Sequence, residues 1–201
     1  GNTKKQERRE IQMDYILNKV QAEYGYTDYQ IKLIKFTLTG IFYDLSKTLI
    51  FMIYFYATGK FIEFIFAAVP LILLRTKTGG IHLKKYWSCF LFSFAYFYTV
   101  INILPALITV HPLVVYPILL VCAVLDYIVG PMLNNRPALA ENLIKKAKIQ
   151  SFQVVFIVAV LFFLFPNVPY LIVSLWTVVL HVVQLTIAKL LKEVKYNEKL
   201  A

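Results

Sequence analysis

Between Arg75 and Cys89 the chain reads Arg-Thr-Lys-Thr-Gly-Gly-Ile-His-Leu-Lys-Lys-Tyr-Trp-Ser-Cys. Histidine is scarce in this sequence (His82, His111 and His181), and cysteine scarcer (Cys89 and Cys122). One of each within seven positions, after Gly79-Gly80 and among basic residues, marks Cys89 as the candidate nucleophile and His82 as its candidate base. The thiolate is the reactive form of cysteine, and cationic surroundings favour it. Arg75, Lys84, Lys85 and His82 supply that positive field, and a helix beginning near Tyr86 adds the partial positive charge of its N-terminus. Nucleophilic catalysis by Cys89, with His82 accepting the proton, is the chemistry such a setting supports.

Geometry constrains this. On one unbroken helix, residues seven apart share a face but are separated by a rise of about 10 Å. Thiol and imidazole must come within roughly 3 Å, so the chain between His82 and Cys89 has to bend. Gly79 and Gly80 make a loop conformation inexpensive, since glycine accepts positive φ. Spacing is thus compatible with a dyad and does not by itself establish one. A lone cysteine in an apolar helix is usually a small core residue, and Cys122, inside a later apolar block, fits that description. His111, just before Pro112, fits a surface residue.

The elements that must position these groups are membrane helices. The chain is 59% hydrophobic, with a mean hydropathy of +0.65, above the roughly 45–50% apolar content of soluble domains. Six apolar blocks carry the excess: Phe36–Ala57, Phe61–Leu74, Tyr86–Leu104, Pro112–Val129, Phe152–Phe165 and Val168–Ala188. Crossing a bilayer core takes about 20 residues. The second and fifth blocks have only 14 residues each and by length alone could be re-entrant. Lysine and arginine counts alternate along the chain: seven in residues 1–35, one at 58–60, four in 75–85, none in 105–111, four in 130–151, none at 166–167 and four from 189 on. Six crossings with both termini cytoplasmic satisfy the positive-inside bias, with the short blocks accommodated by tilt or local thinning. The expected fold is therefore all-α, a polytopic bundle forming a single domain over 1–201. It comprises a basic arm at 1–35, the bundle at 36–188 and a basic tail at 189–201.

In the arm, Met13, Ile16, Leu17, Val20 and Tyr24 follow helical spacing, as for an amphipathic helix in the headgroup plane; packing against the chain's own loops is the alternative. Residues 1–35 contain no apolar core, so no cleavable signal is expected. Ala138–Gln150, with Lys145, Lys146 and Lys148, reads as a short separate basic interfacial helix, because Gly130-Pro131 and Arg136-Pro137 break what precedes it. The net charge of +10 fits loops touching anionic lipid better than nucleic acid. Two cysteines give no disulfide framework. Asp44, Lys47, Glu63, Asp126, His181 and Gln184 fall in or near apolar blocks, where ionisable groups are costly. Asp44 and Lys47, three apart, can neutralise each other. Glu63 and Asp126, near block ends, can reach headgroups, and His181 with Gln184 can hydrogen-bond between helices.

The run Arg75…Gly79-Gly80-x-His82-x6-Cys89 resembles the signature of the accessory gene regulator B (AgrB) family of membrane endopeptidases. The basic arm, the short apolar blocks and Gly130-Pro131…Asn135-Arg136-Pro137 with the lysines after it extend the resemblance over nearly the whole chain. Family members process a short precursor peptide into a cyclic bacterial quorum-sensing signal. The resemblance implies Cys89 as nucleophile, His82 as base, and Arg75 and Gly80 as supporting residues. Gly79, Lys84 and Lys85 join them as candidate supporting or substrate-binding residues. It further implies a thioester acyl-enzyme, an AgrD-like precursor peptide as partner, a plasma-membrane location with the site near the cytoplasmic face, and no cofactor. His-Glu-x-x-His and Gly-x-Ser-x-Gly are both absent from the sequence, which removes the usual metalloprotease and serine alternatives. A homodimer is compatible with the aromatic content of 16%. Two other classes compete: a non-catalytic peptide transporter or export component, and a lipid-binding structural anchor.

Overall fold

A computed structural model describes residues 23–80, 86–131 and 141–197 together with Tyr15, Lys19 and Gln21. Side chains at 32, 33, 36, 37, 39 and 192–197 fall outside that description. No strand occurs among the described residues, and six helices have both bounds there: α1 (Asp28–Ala57), α2 (Phe61–Thr78), α3 (Tyr86–Leu107), α4 (Pro112–Val129), α5 (Glu141–Leu164) and α6 (Leu171–Asn197). The chain divides into two compact units, Gly1–Phe51 and Met52–Ala201.

In the first unit, Thr27-Asp28-Tyr29-Gln30 starts α1 with a reciprocal cap. Gln30 N–H donates to Thr27 Oγ1 at 3.4 Å, and Thr27 N–H donates to Gln30 Oε1 at 2.9 Å, so two backbone donors that lack helical partners are satisfied. Within the apolar part of α1, Lys47 Nζ lies 2.7 Å from Asp44 Oδ1, the self-neutralising pair that their spacing suggests. Met13, Ile16, Leu17 and Val20 of the expected amphipathic stripe lie outside the described residues. Tyr24 is exposed.

In the second unit, α2, α4, α5 and α6 enclose the main core. Leu74, Leu119, Val155, Leu175, Val178 and Val182 are almost completely buried there. Cys122 belongs to this core, as expected of a structural cysteine. α6 is the central helix: 61% of its apolar window is buried, against 22–28% for α3, α4 and α5. The outward faces carry Leu107, Leu113, Leu120, Phe156 and Phe163, all strongly exposed. Apolar surface of that extent is at home against lipid tails. α3, α4, α5 and Leu171–Leu191 of α6 are each long and apolar enough to cross a bilayer, which makes this a multi-pass membrane protein. The first two expected crossings fall on α1 and α2, which are not among those four. The 18 residues of α2 include Glu63, Arg75 and Lys77, and the apolar part of α1 holds Asp44 and Lys47.

Two expectations are corrected. The separate interfacial helix at 138–150 does not form as such: α5 begins at Glu141 and runs unbroken to Leu164, because no glycine or proline interrupts it. Its 24 residues give about 36 Å, so the fifth block is no longer too short to span. α6 in turn continues through the basic residues after 188 to Asn197. Asp126 does not reach the headgroup level either; it is fully buried beside Cys122 and Ala123. Glu63 instead pairs with Lys60 at 3.0 Å.

Two prolines reshape the helices. Before Pro105, residues Thr99–Ile103 widen into a π-helical turn, since the proline ring excludes normal contact with the carbonyl four residues back. In α2, Pro70 supplies no N–H to the Phe66 carbonyl. Ser174 Oγ from α6 donates to that carbonyl instead, at 2.7 Å. In lipid an unpaired carbonyl has no water to turn to, so this bond repairs the break and ties α2 to α6. Ser174→Ala is expected to destabilise the fold by about 1–3 kcal/mol, read from detergent-denaturant titration. Pro70→Ala, which restores the missing N–H, should recover much of that loss in the double variant. A double variant no more stable than Ser174→Ala would refute the repair.

Candidate active site

Cys89 is the fourth residue of α3 and is buried, beside the strongly exposed Trp87. Aromatic packing fixes its helix. Phe97 of α3 stands 5.1 Å from Phe64 of α2, and Phe94 lies 5.0 Å from Tyr54 and 6.5 Å from Phe55. Phe55 in turn stacks on Phe64 at 5.3 Å. Such pairs contribute about 0.5–1.5 kcal/mol each beyond burial. They turn one side of α3 toward α2 and the end of α1.

Spacing then places Cys89, Ser93 and Tyr96 along a single face of α3, four and three residues apart. Ser93, Tyr96 and Phe92 line a cavity with Leu71 and Arg75 of α2 and Gln184 of α6. Its volume of about 10 Å³ is roughly the room one water needs. Tyr96 Oη donates to the Thr177 carbonyl of α6 at 2.7 Å. Arg75 thus shares a cavity with Ser93, which stands one helical turn from Cys89 on α3.

The turn after α2 explains both glycines. Gly79 caps the helix, its N–H donating to the Arg75 carbonyl at 3.0 Å, with φ 78° and ψ −147°. A side chain there would meet the left-handed penalty. At Gly80 the constraint is space: a Cβ would stand 3.1 Å from Arg75 Nε and 3.5 Å from Nη2. The guanidinium thus lies directly on the Gly80 backbone. Arg75, Gly79 and Gly80 form one unit, while His82, Lys84 and Lys85 lie outside the described residues.

Two further groups join it. Thr78, the last residue of α2, has its Oγ1 2.8 Å from His181 Nε2, and both residues are buried. The signal for His181 was present in the sequence: Ser174, Thr177, His181 and Gln184 repeat at intervals of three and four inside an otherwise apolar block, which puts all four on one helical face. Nothing in the sequence named the partners Phe66, Tyr96 and Thr78 of the first three. His111, by contrast, is exposed at the start of α4, its Nδ1 accepting from Leu113 N–H at 3.4 Å.

A family model described as "AgrB: Accessory gene regulator B" matches residues 13–185. No curated protein and no solved structure matches the chain. Gly79→Ala is expected to lower stability by about 1–2 kcal/mol through its positive φ, measured by the same titration; an unchanged midpoint would mean that the turn relaxes freely.

Proposed function

Because the chain belongs to the accessory gene regulator B family, we propose that it is a membrane cysteine endopeptidase. It removes the C-terminal tail of an AgrD-like quorum-sensing precursor and promotes cyclisation of the remainder. The observation that carries this reading is the family match over residues 13–185, in a chain that retains the Arg75, Gly79-Gly80, His82 and Cys89 positions. The packing of Arg75 on Gly80 supports it, since it gives two of those positions a shared physical role.

In this reading the whole chain acts as one peptidase with six crossings and both ends in the cytoplasm. The precursor's amphipathic part lies on the inner leaflet, and its acidic tail meets the basic loops, which also touch anionic lipid. His82 accepts the proton of the Cys89 thiol, and the thiolate attacks the scissile carbonyl carbon. The C–N bond breaks, the tail departs as an amine with the proton from His82, and the peptide remains as a thioester on Cys89. A cysteine thiol within the peptide then attacks that thioester. Its proton passes to the departing Cys89 sulfur, and a thiolactone ring closes; a serine in its place gives a lactone. Thioester exchange is nearly balanced in energy, so holding the peptide ends together and excluding water are the main tasks. The burial of Cys89 suits both. Arg75 does not deprotonate at physiological pH and acts by binding or placement.

Cys89→Ala and Cys89→Ser are expected to accumulate uncut precursor while Cys122→Ala processes it normally, as read by gel shift and mass spectrometry of the peptide. A trapped acyl adduct should map to Cys89. Normal cutting by a well-folded Cys89→Ala variant would instead favour the export reading. Gly80→Ala should slow cutting about tenfold or more, because small displacements of a positioning group carry costs of that order. Wild-type cutting by that variant would show that the Arg75–Gly80 contact is dispensable.

A further inference from the structure

We propose that His181 is a positioning residue for the reaction at Cys89. It acts through Thr78 on the turn that carries Arg75, Gly79 and Gly80. This rests on the peptidase reading above and adds to it a residue 92 positions from the nucleophile.

Thr78 Oγ1 lies 2.9 Å from the Leu74 carbonyl and 2.8 Å from His181 Nε2. With the hydroxyl proton on the carbonyl, Nε2–H donates to Thr78; with that proton directed at Nε2, the ring proton sits on Nδ1. That Nδ1 is buried with no hydrogen-bond partner among the described residues. A leucine would fill this site without leaving a buried polar atom unpaired. Histidine here is therefore less favourable for packing than an apolar residue would be. What it adds is a tether between the middle of α6 and the last turn of α2.

Place in the fold gives the tether its consequence. Thr78 has no exposed surface and immediately precedes Gly79. Downstream, the backbone is fixed by the Gly79 cap and by Arg75 lying on Gly80. Upstream, the Ser174–Phe66 bond fixes α2 to the same helix α6. Between these anchors, His181 Nε2 is the α6 atom bonded to the end of α2. It sets the position of the turn that carries Arg75, Gly79 and Gly80. Because Thr78 keeps its bond to Leu74 when the imidazole is removed, loss of His181 releases the tether without orphaning the hydroxyl.

The test uses the full chain in lipid nanodiscs and a synthetic peptide with an amphipathic N-terminal part, a central cysteine and an acidic tail that the wild-type chain cuts. Single-turnover acylation of Cys89, peptide affinity and unfolding midpoint are measured for His181→Leu, His181→Gln and Thr78→Val. His181→Leu should acylate roughly ten- to hundredfold more slowly, with peptide affinity unchanged and no loss of midpoint. His181→Gln, whose amide N–H can reach Thr78, should recover most of the rate. Thr78→Val should be slow, and combining it with His181→Leu should add little, as for two members of one contact. Wild-type acylation by His181→Leu, equal slowing in His181→Leu and His181→Gln, or additive losses in the double variant would each overturn the proposal. If His181→Leu fails to insert, Thr78→Val decides by the same rate criterion. Cys89→Ala separates the two levels: cutting by that variant would end the peptidase reading, whereas an inactive Cys89→Ala beside a fast His181→Leu would end the positioning role alone.

Discussion

In a hydrocarbon environment a polar group inside a helix bundle must find its partner within the protein, and in this chain that requirement converges on α6. Ser174, Thr177, His181 and Gln184 follow one another along its buried face. Each of the first three meets a neighbouring helix at a defined atom: the Phe66 carbonyl, the Tyr96 hydroxyl, the Thr78 hydroxyl. Apolar packing of α2, α4 and α5 around α6 brings the helices together without choosing a rotation or a height, since one leucine contact resembles another. Directed bonds choose both. The central helix thereby acts as the template on which α2 and α3 take their register.

That template explains why the candidate site is built as it is. Arg75 is carried near the end of α2, where it is half-buried and lines a small cavity with residues of α3 and α6. Its guanidinium lies on a glycine backbone, and the glycine before it has a conformation closed to most residues. A charge held this firmly in a largely apolar surround retains a strong field, and its direction is set by the turn instead of by a mobile side chain. Cys89 shares the α3 face that Ser93 and Tyr96 present to this region. The helix of Cys89 and the guanidinium are thus referenced to one element, although they belong to separate ones.

Much of this architecture was legible in the residues. Block boundaries predicted helices because apolar runs of that length have few other options in lipid, and the Asp44–Lys47 spacing announced its ion pair. Gly79-Gly80 announced a turn. The limits were equally physical. Hydropathy drops at Lys145–Gln150, so the block seemed to begin at Phe152, yet charged residues are good helix formers and the backbone continues through them. Asp126 near a block end looked able to reach water, but the side on which a helix faces its neighbours is a tertiary fact. The polar spacing on α6 marked a face and left its partners unnamed, because Phe66, Thr78 and Tyr96 are ordinary residues until helices from distant parts of the chain pack against them. The substitution of Ser174 for the hydrogen bond that Pro70 removes has the same origin: the defect is local, the remedy lies 104 residues away.

The continuity of α5 sets the vertical position of the molecule. Lys145, Lys146 and Lys148 stand on the same rod as Val154, Val155 and Val158, and a straight helix fixes their axial separation at about 1.5 Å per residue. Ammonium groups seek the phosphate level while the valines belong to the packed interior. A thinner or thicker membrane therefore cannot move the core relative to the lysines independently; the rod tilts, or lipids around it stretch. The bundle floats at a depth gauged by three cations, and every group keyed to that core inherits the same waterline.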